Sequence, residues 1–124
     1  LDAKGRVSLP AKFRRSLPVE LKVLPMGKSV LLFTREGYDQ YVKNYFPNGM
    51  NLRDDVDKSM MFYLTATAED TEIDSAGRIS ISSKLRASAC LDKEVSIVGV
   101  GDHIEMMSRE VYAEKMAAAS KFFG

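Results

Sequence analysis

The sequence predicts an α+β fold in which two equivalent modules pack about a pseudo-two-fold axis. Three observations predict it. The first is an internal repeat: LDAKGRVSLPAKFR at residues 1–14 returns as IDSAGRISISSKLR at residues 73–86. Six of the fourteen positions are identical, namely Asp2/Asp74, Gly5/Gly77, Arg6/Arg78, Ser8/Ser80, Lys12/Lys84 and Arg14/Arg86. The likeness resumes at an offset of 74, where TREGY at 34–38 matches SREVY at 108–112. The second observation is that each copy carries short alternating runs broken by Gly turns, the mark of half-buried strands. The third is that each copy closes on a capped helical stretch. Two copies are too few for a solenoid and suit a pair of modules.

Each element has a local reason. Asp2-Ala-Lys-Gly5 and Asp74-Ser-Ala-Gly77 read as turns, with Gly free to take positive φ and Asp able to bond nearby amides. Gly5–Leu9 and Gly77–Ile81 then alternate, with Arg6 and Ser8, or Arg78 and Ser80, on one face. Pro10 opens a short helix through Ala11–Arg14, with its equivalent at Ser83–Arg86. Leu21–Pro25 and Ser29–Phe33 read as a hairpin about Gly27, and Val95–Val98 with His103–Met107 as its counterpart. Thr34 and Ser108 are N-caps for the helices that follow. Tyr38, Tyr41, Val42 and Tyr45 fall on one helical stripe, and Tyr112, Met116, Ala119 and Phe123 on another, expected in the core or at a subunit contact. Between the copies, Asn51 is expected to cap a helix whose first turn holds Asp54 and Asp55 and whose stripe is Leu52, Val56, Met60 and Leu64. Met60-Met61 reads as core. Residues 65–73 read as a polar strand leading into the second Asp turn. The first copy lacks such a leading strand, and a chain opening on Leu1 reads as a piece of a longer protein. The modules are placed at 1–47 and 65–124, joined by a helix at 48–64.

Composition narrows the class of function. Of 124 residues, 45% are hydrophobic and 28% charged, an ordinary globular balance. No apolar run approaches the ~18 residues of a membrane helix. Cys90 is the single cysteine and His103 the single histidine, which excludes an internal disulfide, a Cys-based zinc site and a His-rich metal centre. A lone thiol fits a reducing cytosol, and Cys90, among Ala89 and Leu91, reads as a small core residue. No cofactor and no small-molecule substrate are expected. The net charge of +1 hides an uneven distribution: residues 1–46 hold nine Lys/Arg against four Asp/Glu, and residues 47–72 hold two against six. A basic N-terminal cluster is the footprint that an anionic partner selects.

The repeated Asp-x-x-Gly-Arg, each time before an alternating strand and a Lys-[Phe/Leu]-Arg helix, together with the EVSIVGVGDHIEMMSREVY block, resembles the MraZ family. These are bacterial regulators of the division and cell-wall gene cluster with two SpoVT–AbrB-type modules in tandem. The resemblance covers nearly the whole chain. It implies a double-split, swapped-hairpin β-barrel with short flanking helices, a homo-oligomeric ring, and repressive binding to short tandem DNA repeats upstream of the protein's own operon. It implies a cytoplasmic, nucleoid-associated protein with no membrane partner. The family motif maps onto Asp2 with Arg6 and onto Asp74 with Arg78. The sequence departs from the family pattern at Ser82, where Pro is usual, and at Met106-Met107, where Ile-Trp is frequent. The first departure is expected to loosen the second short helix, and the second to change a core or interface side chain.

The candidate DNA-binding residues are therefore Lys4, Arg6, Lys12, Arg14, Arg15, Arg78, Lys84 and Arg86, with Asp2, Gly5, Asp74 and Gly77 orienting the motif. Arg offers planar, bidentate hydrogen bonds to phosphate or to guanine O6/N7. Lys4, Lys12, Arg14 and Arg15 are expected on the DNA backbone. The second copy is poorer, with Ala76 for Lys4 and Ala87 for Arg15. The plainer reading, that Arg6 merely pairs with Asp2, is compatible with function, because a carboxylate that orients an arginine fixes the geometry readout needs. An aspartic-protease dyad is disfavoured: Gly stands at +3 rather than +2, and each Asp has an Arg beside it to keep it ionised. His103, beside a hairpin turn, reads as satisfied or solvated and not as a base. There is no phosphate-binding glycine motif, so no enzyme is expected. The competing binding readings are a MazE-type antitoxin and an oligomerisation scaffold that binds no DNA.

Overall fold

The computed structural model describes residues 1–124. In chain order the elements are β1 (Arg6–Ser8), α1 (Ala11–Arg14), β2 (Glu20–Met26), β3 (Ser29–Phe33), α2 (Arg35–Asn44) and α3 (Asp55–Ala66). There follow β4 (Glu69–Glu72), β5 (Arg78–Ser80), α4 (Ser83–Ser88), β6 (Val95–Val100), β7 (His103–Ser108) and α5 (Arg109–Ser120). The fold is α+β with antiparallel sheets. β1 and β5 form a two-stranded ribbon, and the other strands form a sheet in the order β4-β2-β3-β7-β6. These sheets do not close into a barrel: β4 and β6 are free edges of the larger one.

The repeat is written into the register. In the ribbon Val7 stands opposite Ile79, its own equivalent. In the sheet Leu31 stands opposite Glu105, its equivalent at the offset of 74. A pseudo-two-fold axis therefore passes through both pairs. The modules also exchange strands, since β4, which precedes the second motif, pairs with β2 of the first hairpin. Leu9 donates its amide to Gly77 O at 3.0 Å, and Ile81 donates to Gly5 O at 2.9 Å, so the exchange is reciprocal.

Two apolar clusters hold these layers. One joins Val7, Leu9, Ile79, Ile81 and Leu85 beneath the ribbon to Val23, Val30, Leu32, Ile104 and Met106 of the sheet. The other lies on the opposite face, where Leu24, Leu31 and Phe33 meet Phe46 and Leu64, with Tyr38, Tyr41, Met60 and Met61 packed around them. β3 is buried along its whole length because it is central and covered on both faces, which explains its unbroken Val-Leu-Leu-Phe run. Met106 and Met107 are both buried, so that departure sits in the interior.

Several expectations need correction. The connecting helix starts later than Asn51: Asp54 is its cap, accepting the Val56 amide at 2.8 Å, while Asn51 Oδ1 is occupied by the Arg53 amide. Leu52 then falls before the helix, and both it and Val56 are exposed; Leu64 is the buried anchor of the stripe. Residues 65 and 66 complete that helix, leaving Glu69–Glu72 as the strand. Of α5 only Val111 is buried; Tyr112, Met116 and, beyond the helix, Phe123 are exposed, so that stripe does not enter the core of the chain. Ser82 does not loosen the second short helix. Its hydroxyl accepts the Leu85 amide at 3.2 Å and donates to Glu69 at 3.1 Å. The capped α4 has six residues, whereas α1, whose Pro10 has no side-chain cap, has four. Cys90 is exposed and not in the core. It occupies the left-handed position that ends α4, with φ +55°.

Candidate nucleic-acid interface

Each motif folds into the same turn, bond for bond. Asp2 Oδ1 accepts the amides of Lys4 and Arg6, both at 2.9 Å, and Oδ2 accepts Arg6 Nε at 2.8 Å. Asp74 Oδ1 accepts the amides of Ala76 and Arg78, both at 2.9 Å, and Oδ2 accepts Arg78 Nε at 3.1 Å. The turns close through Gly5 and Gly77 amides on the Asp2 and Asp74 carbonyls. Both glycines have positive φ, +74° and +77°, which side-chain-bearing residues rarely adopt. The aspartates are thus scaffolding: one oxygen orders the backbone and the other aims the arginine.

The electrostatics follow from that bonding. The Asp2 carboxyl is held at about 2, chiefly by the Arg6 amide, against opposing desolvation, with the Arg6 guanidinium and the Lys4 amide adding to the effect. Asp74 is lowered too, the Arg78 amide again leading. Each aspartate meets its arginine's side chain through Nε alone, and the two Nη groups of each arginine make no hydrogen bond within the chain. Neither guanidinium is buried, the side chains being 27% and 33% exposed. A free Nη pair held at a fixed angle is what bidentate recognition of phosphate or guanine requires.

The ribbon brings the two arginines together. Arg6 stands opposite Ser80, and Arg78 opposite Ser8. Val7 and Ile79 turn inward, so the outer face is the quartet Arg6, Ser8, Arg78 and Ser80. Both motif arginines therefore sit at diagonal corners of one antiparallel ribbon. Lys4 lies in the first turn, Lys12 on α1, Arg15 at the C-cap of α1, and Lys84 on α4, all exposed. Lys12 Nζ lies 5.0 Å from the centre of the Phe13 ring.

Arg14 and Arg86 are placed differently. Arg14 remains largely solvent-accessible, yet its Nη1 donates to Ala76 O of the other module's turn at 3.3 Å. It also lies against Gly77, where a Cβ would overlap its Cδ and Nη1. Arg86 lies likewise against Gly5, with a Cβ there 2.7 Å from its Cζ and Nη1. Sequence reading missed this crossing, although the signal was present: Gly and Arg are among the six positions the copies share.

No group of three or more His, Cys, Asp or Glu side chains is arranged to hold a metal. His103 Nδ1 lies 2.9 Å from Asp102 Oδ1, and Nε2 lies 3.5 Å from Glu105 Oε1. No nucleophile is held by it. No helix is long and apolar enough to cross a membrane.

Comparison with known proteins identifies the family. A family model described as "MraZ protein, putative antitoxin-like" matches residues 1–60 and 64–122. A protein of Paraburkholderia phytofirmans named "Transcriptional regulator MraZ" is 35% identical over 131 aligned residues, covering 96% of this chain and 84% of that protein. Proteins of the same name from Burkholderia vietnamiensis and Cupriavidus pinatubonensis are each 36% identical, covering 96% and 93% of this chain and 84% and 81% of their own. Two matched segments, each with its own Asp-x-x-Gly-Arg turn, and relatives this similar over nearly the whole length lead to one conclusion: the chain belongs to the MraZ family, a family of transcriptional regulators and not of enzymes.

Proposed function

We propose that this protein is a sequence-specific DNA-binding regulator that lays the β1–β5 ribbon in the major groove. The observation that carries the reading is the pair of aspartate-aimed arginines at diagonal corners of that ribbon. A two-stranded antiparallel ribbon fits the groove, and the free Nη groups face outward to meet base edges or phosphates. Lys4, Lys12, Arg15 and Lys84 serve as backbone contacts, which set register without reading sequence. The module boundaries, 1–47 and 65–124, belong to the same proposal, with the helix between them running over Asp55–Ala66 rather than 48–64. So does a swapped-hairpin barrel, supported by the strand exchange between modules; a strand equivalent to β4 would pair with the free edge of β6.

One ribbon spans only a few base pairs. We read the protein as a homo-oligomer, in ring form, that binds tandem repeats upstream of its own division and cell-wall genes and represses them, acting at the nucleoid in the cytoplasm. The test is binding of folded Arg6→Ala protein to duplex DNA from the region upstream of its gene. A loss of ~1–3 kcal/mol per occupied contact is expected, with a similar or smaller loss for Arg78→Ala. Wild-type affinity for both variants would remove the ribbon from the interface.

A further inference from the structure

We propose that Arg14 and Arg86 are positioning residues, each of which holds the other module's Asp-x-x-Gly-Arg turn in the pose that aims its arginine at DNA. The inference rests on the DNA-binding reading above and goes beyond it by assigning these two cations a role apart from phosphate contact.

The turn glycines show why. Gly5 and Gly77 lie in surface turns, yet both are buried. From one side each is held by the partner module's strand: Ile81 donates to Gly5 O at 2.9 Å, and Leu9 donates to Gly77 O at 3.0 Å. Against each also lies the partner module's helix arginine. A Cβ at Gly5 would meet Arg86 Cζ and Nη1 at 2.7 Å and Nε at 3.1 Å, and a Cβ at Gly77 would overlap Arg14. The guanidinium occupies the space that any side chain at the glycine would need. Each turn is therefore clamped between a β-type hydrogen bond and a guanidinium, both supplied across the pseudo-two-fold axis. Glycine is required there by positive φ and again by the arginine packed on it.

The clamps are not equal. Arg14 adds a hydrogen bond to Ala76 O, the residue two before Arg78. Arg86 makes no matching bond to Lys4, and its Nε is buried without a partner. Arg14 should therefore fix the second turn more firmly than Arg86 fixes the first. Each guanidinium is thus anchored on the other module's turn, although Arg14 keeps much of its surface in solvent. Its contribution to DNA affinity then passes through the arginine of the other module.

The experiment is a pair of double-mutant cycles, read as affinity for duplex DNA from the region upstream of the gene. Arg14→Ala is combined with Arg78→Ala in one cycle and with Arg6→Ala in the other. Arg14→Ala alone should weaken binding on the order of tenfold, the middle of the range for coupled neighbours. That loss should largely vanish in the Arg78→Ala background and persist in the Arg6→Ala background. Arg14→Lys, which keeps the charge but not the planar group, should fail to restore affinity. Arg14→Met keeps an unbranched stem over Gly77 and tests the same point if the alanine variant does not fold. Its salt dependence should match that of wild type, because no phosphate contact is lost. Full additivity with Arg78→Ala would overturn the proposal. So would rescue by Lys, or a salt slope reduced by about 0.9 per bound protomer in Arg14→Met, since either marks a phosphate contact. Wild-type affinity for both Arg6→Ala and Arg78→Ala would instead overturn the DNA reading on which the proposal stands.

Discussion

Asp2 shows how one residue can be read in two ways that turn out to be the same. Its ion pair with Arg6 looks like an ordinary exposed i, i+4 bridge of small net value. The bonding says otherwise, because the largest effect on its carboxyl comes from the Arg6 amide and not from the guanidinium. The carboxyl should therefore titrate near 2 in the folded chain, and Arg6→Ala should raise it only part of the way to its ordinary 3.8. The sign follows from linkage: a carboxyl lowered on folding stabilises the turn fully above 3.8, and that stabilisation disappears as pH falls through about 2. Carbon-detected NMR titration of Asp2 in both proteins measures this, and an ordinary value in the wild type would refute the turn geometry. Cys90 makes the opposite kind of case. It stands where Gly is usual, with its amide on Ala87 O at 3.2 Å and the next amide, of Leu91, on Arg86 O at 2.9 Å, a Schellman ending for α4. A residue with Cβ at φ +55° is strained there. Cys90→Gly should stabilise the fold by about 1 kcal/mol, seen as a rise of a few degrees in Tm. An unchanged or lower Tm would show that the strain is absent. The sequence context, Ala89-Cys90-Leu91, pointed to a core position because composition does not reveal where a short helix ends.

At the scale of elements, the legible parts were those fixed by local chemistry. The Asp turns, both hairpins, and the Thr34 and Ser108 caps lie where the residues put them. Thr34 accepts the Gly37 amide and Ser108 the Val111 amide. The pairing of β1 with β5 is not among the sequence expectations, although it fits the repeat, since a pseudo-two-fold axis allows an element to pair with its own copy. What failed was competition between neighbouring signals. Asn51 and Asp54 are both good caps three residues apart, and the helix took the second, whose side chain reaches the Val56 amide. Ser82 departs from expectation for a related reason: the hydroxyl it brings matters more than the Pro it replaces. Pro fixes φ but offers no acceptor, whereas Ser82 Oγ takes an orphan amide of the first turn and ties α4 to β4 through Glu69. Ser82→Ala should cost about 1 kcal/mol of stability, measured by denaturant unfolding. The loss should be localised to α4 in hydrogen exchange. A neutral effect would mean that the hydroxyl is satisfied equally well by water.

At the scale of the whole molecule, the apolar surface left over is the informative quantity. α2 is packed through Tyr38, Tyr41 and Val42 onto the sheet, yet its repeat counterpart α5 buries only Val111. The same stripe pattern in sequence has two different fates, because the second copy presents Glu105 where the first presents Leu31, and Lys115 of α5 bonds that carboxylate at 3.0 Å. Beyond the end of α5, Phe122 and Phe123 are 87% and 92% exposed. On α3, Val56 and Phe62 are exposed, and the helix lines two apolar hollows of about 300 and 400 Å³, the first with Met60 and Tyr63 and the second with Met61 and Phe62. Exposed apolar surface on two different helices marks association sites, and unlike patches on the two faces favour head-to-tail contact, which closes into a ring if the rotation permits. The protein should therefore be a homo-oligomer larger than a dimer by light scattering at micromolar concentration. Phe122→Ser combined with Phe123→Ser should lower its mass while leaving the ribbon intact. On the proposed DNA-binding reading each protomer covers only a few base pairs, so added repeats should convert later contacts into intramolecular ones and affinity should rise steeply from one repeat to two. The serine variant should lose that increase while keeping wild-type affinity for a single repeat. A monomeric wild type, or a serine variant that still gains from the second repeat, would show that DNA reading does not depend on this assembly.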